Sequence, residues 1–490
     1  MNDASPPTFT PDLLDRLVSE TGLWPDGRAA AATFPVFDPA TEEVIATVAD
    51  GGVEEAVAAV DSAARAFASW AQTSPRARSE ILRRTFELMQ AEAGDLAALI
   101  AWENGKAIGD ARSEVAYAAE FFRWYAEEAV RSDGRFEQAP SGAARTVVLH
   151  RPVGVAALVT PWNFPAAMAT RKIGPALAAG CTVVLKPARE TPLTALAIAR
   201  LLSRAGLPDG VLNVVPTSKS GVLVSTWLED ARVRKLSFTG STEVGRTLLR
   251  QTADRIVNAS MELGGNAPFI VTEDADVAAA VRGAMIAKFR NGGQACTAAN
   301  RFYVHEAVAP AFIEQFGAAI QALRVGPASD PAHEIGPLIN RTARNDVGAL
   351  VDRAVAQGAR ISHWAAAPDR GCFYPPTLLI DVPPSAEILA TEIFGPVAPI
   401  VTWESEPDLI AQVNDTELGL AAYLYAGDLG RARWLAQSID AGMVGVNRGI
   451  VSDPSAPFGG VKQSGLGREG AREGLLEYQE AQYLSLDWPS

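Results

Sequence analysis

Between residues 154 and 262 the sequence alternates short β-rich runs with helical runs, and this alternation limits the folds that the chain can adopt. The β-rich runs are Val155–Thr160, Thr182–Lys186, Val211–Val215, Lys235–Phe238 and Ile256–Met261. The helical runs between them are Ala166–Ala179, Leu193–Ala205, Gly221–Leu228 and Thr242–Gln251. Strands that alternate with helices form βαβ units, so the pattern predicts a parallel sheet with helices on both faces.

The regions on either side of this pattern have a different character. Residues 55–130 carry apolar side chains at helical spacing, and a second α/β region follows residue 262. In that region we predict a helix over Asp276–Phe289 and strands at Arg301–Val304, Pro399–Val401 and Ala421–Tyr425. Two further segments, Val147–Leu149 and Tyr483–Leu486, read as strands that could pair with another subunit.

Charge and composition exclude several classes of function. The formal net charge is −14 and the chain has no cluster of Lys and Arg, so nucleic acid and anionic membrane surfaces are poor candidate partners. No apolar run reaches the roughly 18 residues needed to span a bilayer, and residues 1–7 lack the features of a signal peptide. The chain has 3 cysteines and 4 scattered histidines, so we expect neither a disulfide framework nor a metal site. The small number of cysteines also predicts a reducing cytoplasm as the location.

One cysteine lies in a setting that is unusual for a packing residue. In Phe289-Arg-Asn-Gly-Gly-Gln-Ala-Cys-Thr297, Cys296 closely follows a Gly-Gly turn and has small and polar neighbours. A nucleophilic thiolate needs room for a substrate and groups that lower its pKa. From this segment alone, a catalytic thiol and a plain buried thiol remain equally open.

Two glycine-containing segments are candidates for a phosphate-binding loop. Gly465-Leu-Gly-Arg-Glu-Gly470 matches the dinucleotide fingerprint, but no strand precedes it, so we interpret it as a turn before a helix over Ala471–Tyr478. Phe238-Thr-Gly-Ser-Thr-Glu-Val-Gly245 follows a β-rich run, and Ser241 or Thr242 could cap the next helix. An ordinary strand–helix turn explains this second segment as well.

Seven short motifs occur in a characteristic order. They are Thr160-Pro-Trp-Asn-Phe-Pro165, Leu185-Lys-Pro-Ala188, Phe238-Thr-Gly-Ser-Thr242, Met261-Glu-Leu-Gly-Gly-Asn266, Gly293-Gln-Ala-Cys296, Glu392-Ile-Phe-Gly-Pro396 and Pro457-Phe-Gly-Gly460. Together they resemble the aldehyde dehydrogenase superfamily over roughly residues 30–487, and within it most closely the succinate-semialdehyde dehydrogenase group. The resemblance implies an aldehyde dehydrogenase fold: a Rossmann-like parallel-sheet cofactor domain, an α/β catalytic domain and a small β oligomerisation segment.

The resemblance implies a catalytic role for three residues. Cys296 would attack the aldehyde carbon as a thiolate, and Asn163 would donate to the developing oxyanion together with the backbone N–H of Cys296. Glu262 would act as the general base that activates water to release the acid. Cys181 and Cys372 are expected to be packing thiols. Ala298 occupies the position of a second cysteine in some relatives, so we expect no disulfide switch.

The resemblance also implies a set of cofactor-binding residues. These are Thr160, Pro161, Trp162, Lys186, Ala188, Arg189, Gly240, Ser241, Gly245, Glu392 and Phe394. Many NAD-preferring relatives carry glutamate at the position of Arg189, where a carboxylate repels the 2′-phosphate of NADP and a guanidinium attracts it. We therefore expect NADP to be preferred and NAD to be possible. The alternative is that Arg189 faces solvent and Glu190 holds the ribose.

Three positions match the substrate-binding residues of the semialdehyde group. Arg171, Arg290 and Ser452 would hold a distal carboxylate through charge-assisted hydrogen bonds. Succinate semialdehyde is the expected substrate, with glutarate semialdehyde and uncharged aldehydes as alternatives if the arginines are salt-bridged surface groups. A coenzyme-A-acylating enzyme, a cofactor-free cysteine hydrolase and a non-catalytic relative are further alternatives.

The motifs and the alternation together suggest a division of the chain. We expect the cofactor-binding domain to comprise residues 1–133 and 154–262, and the catalytic domain to comprise residues 263–456. Residues 134–153 and 470–490 would be oligomerisation segments, joined through a connecting loop at 457–469. A homodimer or a homotetramer is expected.

Overall fold

A computed structural model of the protein describes residues 9–18, 29–131 and 133–487. The described part of the chain starts with a helix, an antiparallel strand pair and four more helices that pack beside the first sheet. These elements are α1 (Pro11–Leu17), β1 (Thr33–Phe37), β2 (Val44–Ala49), α2 (Val53–Gln72), α3 (Pro75–Ala91), α4 (Ala93–Asn104) and α5 (Ile108–Ala129). They confirm the helical pattern predicted for residues 55–130.

A small sheet of three strands follows the helices. Its strands are β3 (Arg135–Gln138), β4 (Arg145–Pro152) and, from the end of the chain, a strand at Gln479–Leu486. The predicted strands near Val148 and Tyr483 are confirmed, and they pair with each other in antiparallel register. Pairing with another subunit stays a prediction.

The first large sheet is parallel apart from one short edge strand, and it confirms the predicted βαβ alternation. Its elements begin with β5 (Val155–Val159), α6 (Pro165–Ala179), β6 (Thr182–Lys186), α7 (Pro192–Arg204), β7 (Leu212–Val214), α8 (Ser220–Glu229), β8 (Val233–Thr239), α9 (Thr242–Ala253) and β9 (Asn258–Glu262). The order is β7-β6-β5-β8-β9. The chain therefore changes direction across the sheet between β5 and β8, where sheets of this kind bind ligands beyond the carboxyl ends of the strands.

Both faces of this sheet are buried, as the pattern predicts. Ala156 and Leu158 of β5 pack into the core formed with α3–α7, whereas Val155, Ala157 and Val159 pack into a second core with α2, α8 and α9. Successive strand residues point to opposite faces, so a strand buried on both faces has a continuous apolar sequence. This explains the unbroken apolar sequence of β5.

A second large sheet fills most of the rest of the chain. Its elements, with the helices between them, are β10 (Ala267–Val271), α10 (Val277–Phe289), β11 (Ala299–His305), α11 (Ala309–Gln321), α12 (Arg341–Ala356), β12 (Arg360–Trp364), β13 (Thr377–Ile380), α13 (Glu387–Ala390), β14 (Val397–Trp403), α14 (Glu406–Asn414), β15 (Leu418–Gly419), β16 (Ala421–Tyr425), α15 (Leu429–Ser438) and β17 (Met443–Val446). The order is β12-β13-β14-β11-β10-β16-β17, and only β12 is antiparallel to its neighbour. The short β15 pairs outside this sheet.

The end of the chain returns to the first sheet. Its elements are β18 (Val461–Lys462), β19 (Gly465–Leu466), α16 (Glu473–Leu476) and β20 (Gln479–Leu486). β19 pairs with the end of β9, so the Gly465–Gly470 segment is held beside Glu262. The predicted helix over Ala471–Tyr478 is wrong in extent, because only Glu473–Leu476 is helical and Gly470 and Ala471 have positive φ angles.

Candidate active site

The loop that carries Cys296 lies between the two large sheets. Helix α10 ends at Phe289, and a tight turn over Arg290–Gly293 reverses the chain before β11. Asn291, Gly292 and Gly293 have φ angles of 54°, 61° and 77°, which favour glycine. A Cβ at Gly293 would collide with the carbonyl oxygen of Gly395. The turn therefore requires the glycines, and it leaves the Cys296 side chain half-buried just before β11.

Five residues on one side of this loop form what we term the amide cluster: Lys106, Glu114, Asn163, Asn291 and Gln294. The Asn163 side-chain N–H group donates to the carbonyl oxygen of Gln294 at 3.0 Å. The carbonyl oxygen of Asn163 accepts from Asn291 at 2.8 Å. These bonds join the turn after β5 to the loop of Cys296. They therefore hold Asn163 against Gln294, which lies two residues before Cys296 in the sequence.

The amide cluster contains a buried ion pair that the sequence did not indicate. Lys106 Nζ lies 2.5 Å from a Glu114 carboxylate oxygen, and both side chains are fully buried. The same ammonium donates to the carbonyl oxygen of Asn163 at 2.7 Å. The other Glu114 oxygen accepts the backbone N–H groups of Ala166 and Ala167 at 2.8 and 3.3 Å. Both residues therefore hold the segment that carries Asn163.

Four charged residues near Cys296 form what we term the acid cluster: Glu262, Glu469, Arg171 and Lys172. Glu262 ends β9 and is buried, and neither carboxylate oxygen has a hydrogen-bond partner among the described residues. Glu469 is ion-paired with Arg171 at 3.5 Å and with Lys172. Sequence reasoning missed Glu469, which lies in the glycine segment that we interpreted as a turn.

The two carboxyl groups of the acid cluster have opposite proton affinities. Burial, followed by the negative charge of Glu469, raises the pKa of Glu262 well above its usual range. Burial also favours protonation of Glu469, but Lys172 and Arg171 outweigh it and hold the pKa of Glu469 below its usual range. Glu469 is therefore a fixed anion, and Glu262 is a group that can take up a proton.

Electrostatics connect Cys296 to both arginines predicted to bind substrate. Burial, followed by the charge of Glu392, raises the pKa of Cys296 to about 12, and Glu262 adds to this effect. Arg171 and Arg290 act in the opposite direction and favour the thiolate. The structure thus brings Cys296, Glu262, Arg171 and Arg290 within electrostatic reach of one another.

The residues predicted to bind substrate differ in their surroundings. Arg171 is buried, with its guanidinium over the Phe458 ring at 4.0 Å and a hydrogen bond to the Tyr117 hydroxyl at 2.9 Å. Its Nε–H group has no acceptor among the described residues. The interpretation of Arg171 as a surface group is therefore wrong. Arg290 is half-buried beside Phe164, and Ser452 is half-buried in the loop that leads to Phe458.

Most predicted cofactor residues lie where strands of the first sheet end. Thr160, Pro161 and Trp162 follow β5, Lys186 ends β6, Ala188 and Arg189 follow it, and Gly240 and Ser241 follow β8. Ser241 caps α9 by accepting the N–H of Val244 at 3.4 Å. A Cβ at Gly245 would collide with Leu263, so this glycine allows α9 to pack closely on the sheet. The carboxyl ends of β5, β6 and β8 thus bring together Gly240, the N-terminus of α9 and the ammonium group of Lys186.

The cationic residue at these strand ends is Lys186, which is buried. Its ammonium donates to the carbonyl oxygen of Pro187 at 2.9 Å and to Ser220 at 3.3 Å. Burial lowers the pKa of Lys186 to about 8. These contacts leave the ammonium suited to a hydroxyl or phosphate oxygen. The donor set therefore fits a dinucleotide.

Glu392 and Phe394 come from the second sheet and face the residues that follow β5. The rings of Phe394 and Trp162 meet edge to face, with centroids 5.5 Å apart. Glu392 accepts the backbone N–H of Gly265 at 3.1 Å, and burial raises its pKa to about 7. Lys288, which is fully buried and has no hydrogen-bond partner among the described residues, lowers the pKa of Glu392 through its charge. Glu392 is thus held at the junction of the two sheets.

Arg189 lies apart from the catalytic residues. It is exposed and lines a cavity of about 470 Å³ together with Glu190, the end of β1, the turn after it, and the start of α12 at Asn340–Thr342. Arg189, predicted to attract a 2′-phosphate, and Glu190, the alternative for the ribose, therefore face the same cavity.

The remaining cysteines and histidines make contacts of their own, and Cys372 lines the same cavity as Arg189. Cys181 and Cys372 are buried free thiols, as predicted for packing residues. His305 packs against Trp403, His333 bonds to Pro327 and His363 to Ser362. Within the described ranges, no three His, Cys, Asp or Glu residues form a metal-binding group. No helix in the part of the chain that the structure covers is long and apolar enough to cross a membrane.

Comparisons with known proteins agree with this geometry. A family model described as "Aldehyde dehydrogenase family" matches residues 24–484. A succinate-semialdehyde dehydrogenase of Paenarthrobacter nicotinovorans is 54% identical over 91% of this chain and 99% of its own length. An Escherichia coli succinate-semialdehyde dehydrogenase specified for NADP(+) and a Pseudomonas putida glutarate-semialdehyde dehydrogenase are each 47% identical, over 95% of this chain and 96% of their own lengths.

A solved structure is also similar over nearly the whole chain. The crystal structure of succinate-semialdehyde dehydrogenase from Burkholderia pseudomallei aligns with a TM-score of 0.94 and 45% sequence identity. The alignment covers 98% of this chain and 99% of that chain. The predicted fold class is therefore confirmed.

Proposed function

The chain belongs to the aldehyde dehydrogenase family, and on this premise we propose that it oxidises succinate semialdehyde to succinate with NADP as the preferred acceptor. It is an oxidoreductase that acts on aldehydes. Within the family the proposal depends on the substrate's second functional group, a carboxylate at the end opposite the aldehyde. The choice of substrate is therefore a question of which cations lie near Cys296.

One observation carries the proposal: two guanidinium groups act on the same cysteine. Arg171 and Arg290 both favour the Cys296 thiolate through their charge, and the Arg171 Nε–H group has no acceptor in the part of the chain that the structure describes. A buried guanidinium with a free donor favours an anionic ligand, because charge-assisted hydrogen bonds are stronger than neutral ones. An aldehyde with a distal carboxylate can satisfy the arginines while its carbonyl carbon reaches the sulfur.

The chain's own residues account for both halves of the reaction. The Cys296 thiolate adds to the carbonyl carbon, and the resulting alkoxide is stabilised by the Asn163 amide and the Cys296 backbone N–H. When bound, the cofactor would accept the hydride that leaves this carbon, and a thioester on Cys296 would remain. Glu262 then takes a proton from water, whose oxygen attacks the thioester. The carbon–sulfur bond breaks, and the carboxylic acid and the thiolate are released.

The proposed cofactor site uses residues from both large sheets. Lys186 would hold the adenosine ribose, Glu392 the nicotinamide ribose, and Gly240 and Ser241 would face the pyrophosphate at the start of α9. Trp162 and Phe394 would pack beside the cofactor. Arg189 would attract a 2′-phosphate. The preference for NADP is supported by the place of this guanidinium in the same cavity as Glu190 and by the similarity to the NADP(+)-specified relative.

Glutarate semialdehyde is the second candidate substrate. The Pseudomonas putida glutarate-semialdehyde dehydrogenase is as similar to this chain as the Escherichia coli NADP(+) relative. Two arginines and Ser452 recognise a carboxylate without fixing its distance from the aldehyde sharply. We also propose a homo-oligomer and a reducing cytoplasm, on the grounds of the exposed Leu149 and Tyr483 in the small sheet and the free cysteines.

The test is a comparison of kcat/KM for succinate semialdehyde, glutarate semialdehyde and butanal, each with NAD and with NADP. Formation of the reduced cofactor is followed at about 340 nm. A preference of about 100-fold or more for the carboxylated aldehydes is expected, since losing charge-assisted bonds costs about 1.5–3 kcal/mol each. Equal values for butanal would remove the semialdehyde assignment and leave the family intact.

A further inference from the structure

The buried pair formed by Lys106 and Glu114 is unexplained by the residues proposed to carry out the reaction. Lys106 lies in the short connection between α4 and α5, and Glu114 lies two turns into α5. Both side chains are fully buried. An ion pair removed from water gives little net stability compared with apolar residues of the same size. The presence of this pair in the protein interior therefore points to a role other than stability.

Both members of the pair bond to the segment that bears Asn163. The ammonium is 2.7 Å from the Asn163 carbonyl oxygen and lies 4.1 Å from the centre of the Phe164 ring. The Glu114 carboxylate accepts the N–H groups of Ala166 and Ala167. Helix α6 begins at Pro165 with no side-chain cap of its own at Phe164. Glu114 thus supplies from α5 the cap that α6 lacks.

The first turn of α5 also reaches the other half of the amide cluster. Asp110 accepts the backbone N–H of Asn291 at 2.7 Å. The Asn291 amide in turn donates to the Asn163 carbonyl oxygen, which therefore accepts from Lys106 and Asn291 together. The start of α5 consequently holds the oxyanion donor and the cysteine loop in one bonded unit.

We propose that the Lys106–Glu114 pair is a positioning device that sets the distance and direction of the Asn163 amide relative to Cys296. Lys106 fixes the backbone of Asn163, and Glu114 fixes the helix that follows. Neither residue touches the substrate. The inference rests on the proposed role of Asn163 in aldehyde oxidation. A donor that is displaced by about 1 Å loses much of its effect on the transition state.

The chain offers a matched control for this proposal. Lys235 on β8 is also a fully buried lysine ion-paired with a glutamate, Glu477, at 3.0 Å. Its other contacts are with Asn258 and Ser260 on β9. Lys106→Met and Lys235→Met therefore each remove a fully buried ammonium from its glutamate, one at the Asn163 segment and one elsewhere. Glu477 is 25% exposed, whereas Glu114 is fully buried.

The experiment compares these two variants by three measurements. Thermal unfolding reports stability, and the burst of reduced cofactor with succinate semialdehyde reports hydride transfer. Alkylation by iodoacetamide without substrate reports the thiol, which needs no oxyanion donor. We expect Lys106→Met to slow the burst by about 10- to 100-fold and to change the alkylation rate by less than about twofold. Lys235→Met should keep the burst rate even where it lowers the unfolding temperature.

A second comparison distinguishes positioning from a general loss of structure. In the Asn163→Ala background, Lys106→Met should slow the burst by no more than about twofold, because the two residues act as one unit. A folded Lys106→Met with the wild-type burst rate, or an undiminished further loss in that background, would overturn the proposal. If Lys106→Met does not fold, Glu114→Gln takes its place, and a burst unchanged in that variant would overturn it equally.

Failure of this inference differs from failure of the proposed function. If the wild-type protein reduces neither NAD nor NADP with any aldehyde, the function itself is wrong. If the wild type shows a normal burst and Lys106→Met matches it, only the positioning role is lost.

Discussion

The amide cluster and the acid cluster lie near the same cysteine, but their charged groups are bonded differently. In the amide cluster, Lys106, Glu114 and the Asn163 carbonyl are bonded to several partners at 2.5–3.3 Å. Only the side-chain amide oxygens of Asn163 and Asn291 lack a partner there among the described residues. In the acid cluster, both oxygens of Glu262 and the Nε–H of Arg171 lack partners among the described residues. Buried polar groups are almost always bonded in folded proteins.

The difference supports the roles proposed for these residues. A group that must keep its position, such as the oxyanion donor, is held by neighbours before the substrate arrives. A group that must bind water, a proton or a carboxylate is left unpaired at a cost in stability. The unpaired atoms of Glu262 and Arg171 therefore mark where water and substrate are expected.

The largest expected effect comes from removing the thiol that both clusters adjoin. Cys296→Ala should lower turnover by more than about 10⁴-fold, because no other described thiol adjoins the site. Binding of NADP, measured by calorimetry, should be retained. Cys181→Ala is the control, since that thiol is fully buried and contacts the carbonyl oxygen of Tyr478. Residual dehydrogenase activity near the wild-type level in Cys296→Ala would mean that neither cluster surrounds the reacting atom.

A pH profile tests the charge balance at Cys296 directly. Its pKa is raised to about 12 by burial and by Glu392 and Glu262, so the thiolate fraction should still be rising throughout the range from pH 7 to 9. Alkylation of the cofactor-free enzyme should accelerate about tenfold per pH unit over that range. A plateau below pH 9 would show that the arginines dominate the carboxylates.

The Arg290→Ala variant tests whether Arg290 binds the distal carboxylate of the substrate. Losing one charge-assisted contact should raise KM for succinate semialdehyde by about 10-fold or more, and change that for butanal by less than about twofold. Arg290 is a cleaner target than Arg171, because Arg171→Ala also strips Glu469 of one of its two cations. Breaking that buried pair should cost about 3–5 kcal/mol of stability. Equal KM changes for both aldehydes would return Arg290 to a structural role.

The smallest expected effect lies outside both clusters, at the exposed Arg189. Arg189→Glu should weaken NADP binding by about tenfold, because a carboxylate repels the 2′-phosphate, and leave NAD binding nearly unchanged. Glu190→Ala is the partner variant. If Glu190→Ala weakens NAD binding and Arg189→Glu changes neither cofactor, the ribose is held by Glu190.

The parallel sheet and the Cys296 motif could be predicted because they depend on local patterns. The alternation of β-rich and helical runs predicted the first sheet, and the glycines before Cys296 indicated a tight turn. Lys106, Glu114 and Glu469 could not be found in this way. Their partners are separated by up to 298 residues, as Arg171 and Glu469 are, and nothing in the local sequence indicates burial of such charges.

The position of the Gly465–Gly470 segment in the site also could not be predicted from the local sequence. The residues before it, predicted to be loop, contain the two-residue strand β18, which pairs with β15 and not with the parallel sheet. The segment therefore lacks the preceding sheet strand that a phosphate-binding loop requires. Its short strand pairs instead with the end of β9, and this pairing places Glu469 beside Glu262. A sequence pattern describes the loop, but only the pairing of distant segments gives its role in the site.

The most direct test of the account is a single-turnover comparison of Asn163→Ala with Glu262→Gln. If the two clusters divide the reaction, Asn163→Ala should slow the burst of reduced cofactor by about 10²-fold or more. Glu262→Gln should keep the burst and slow the steady state by about 10²-fold. A slowed burst in Glu262→Gln together with a normal burst in Asn163→Ala would contradict the assignment of the two clusters.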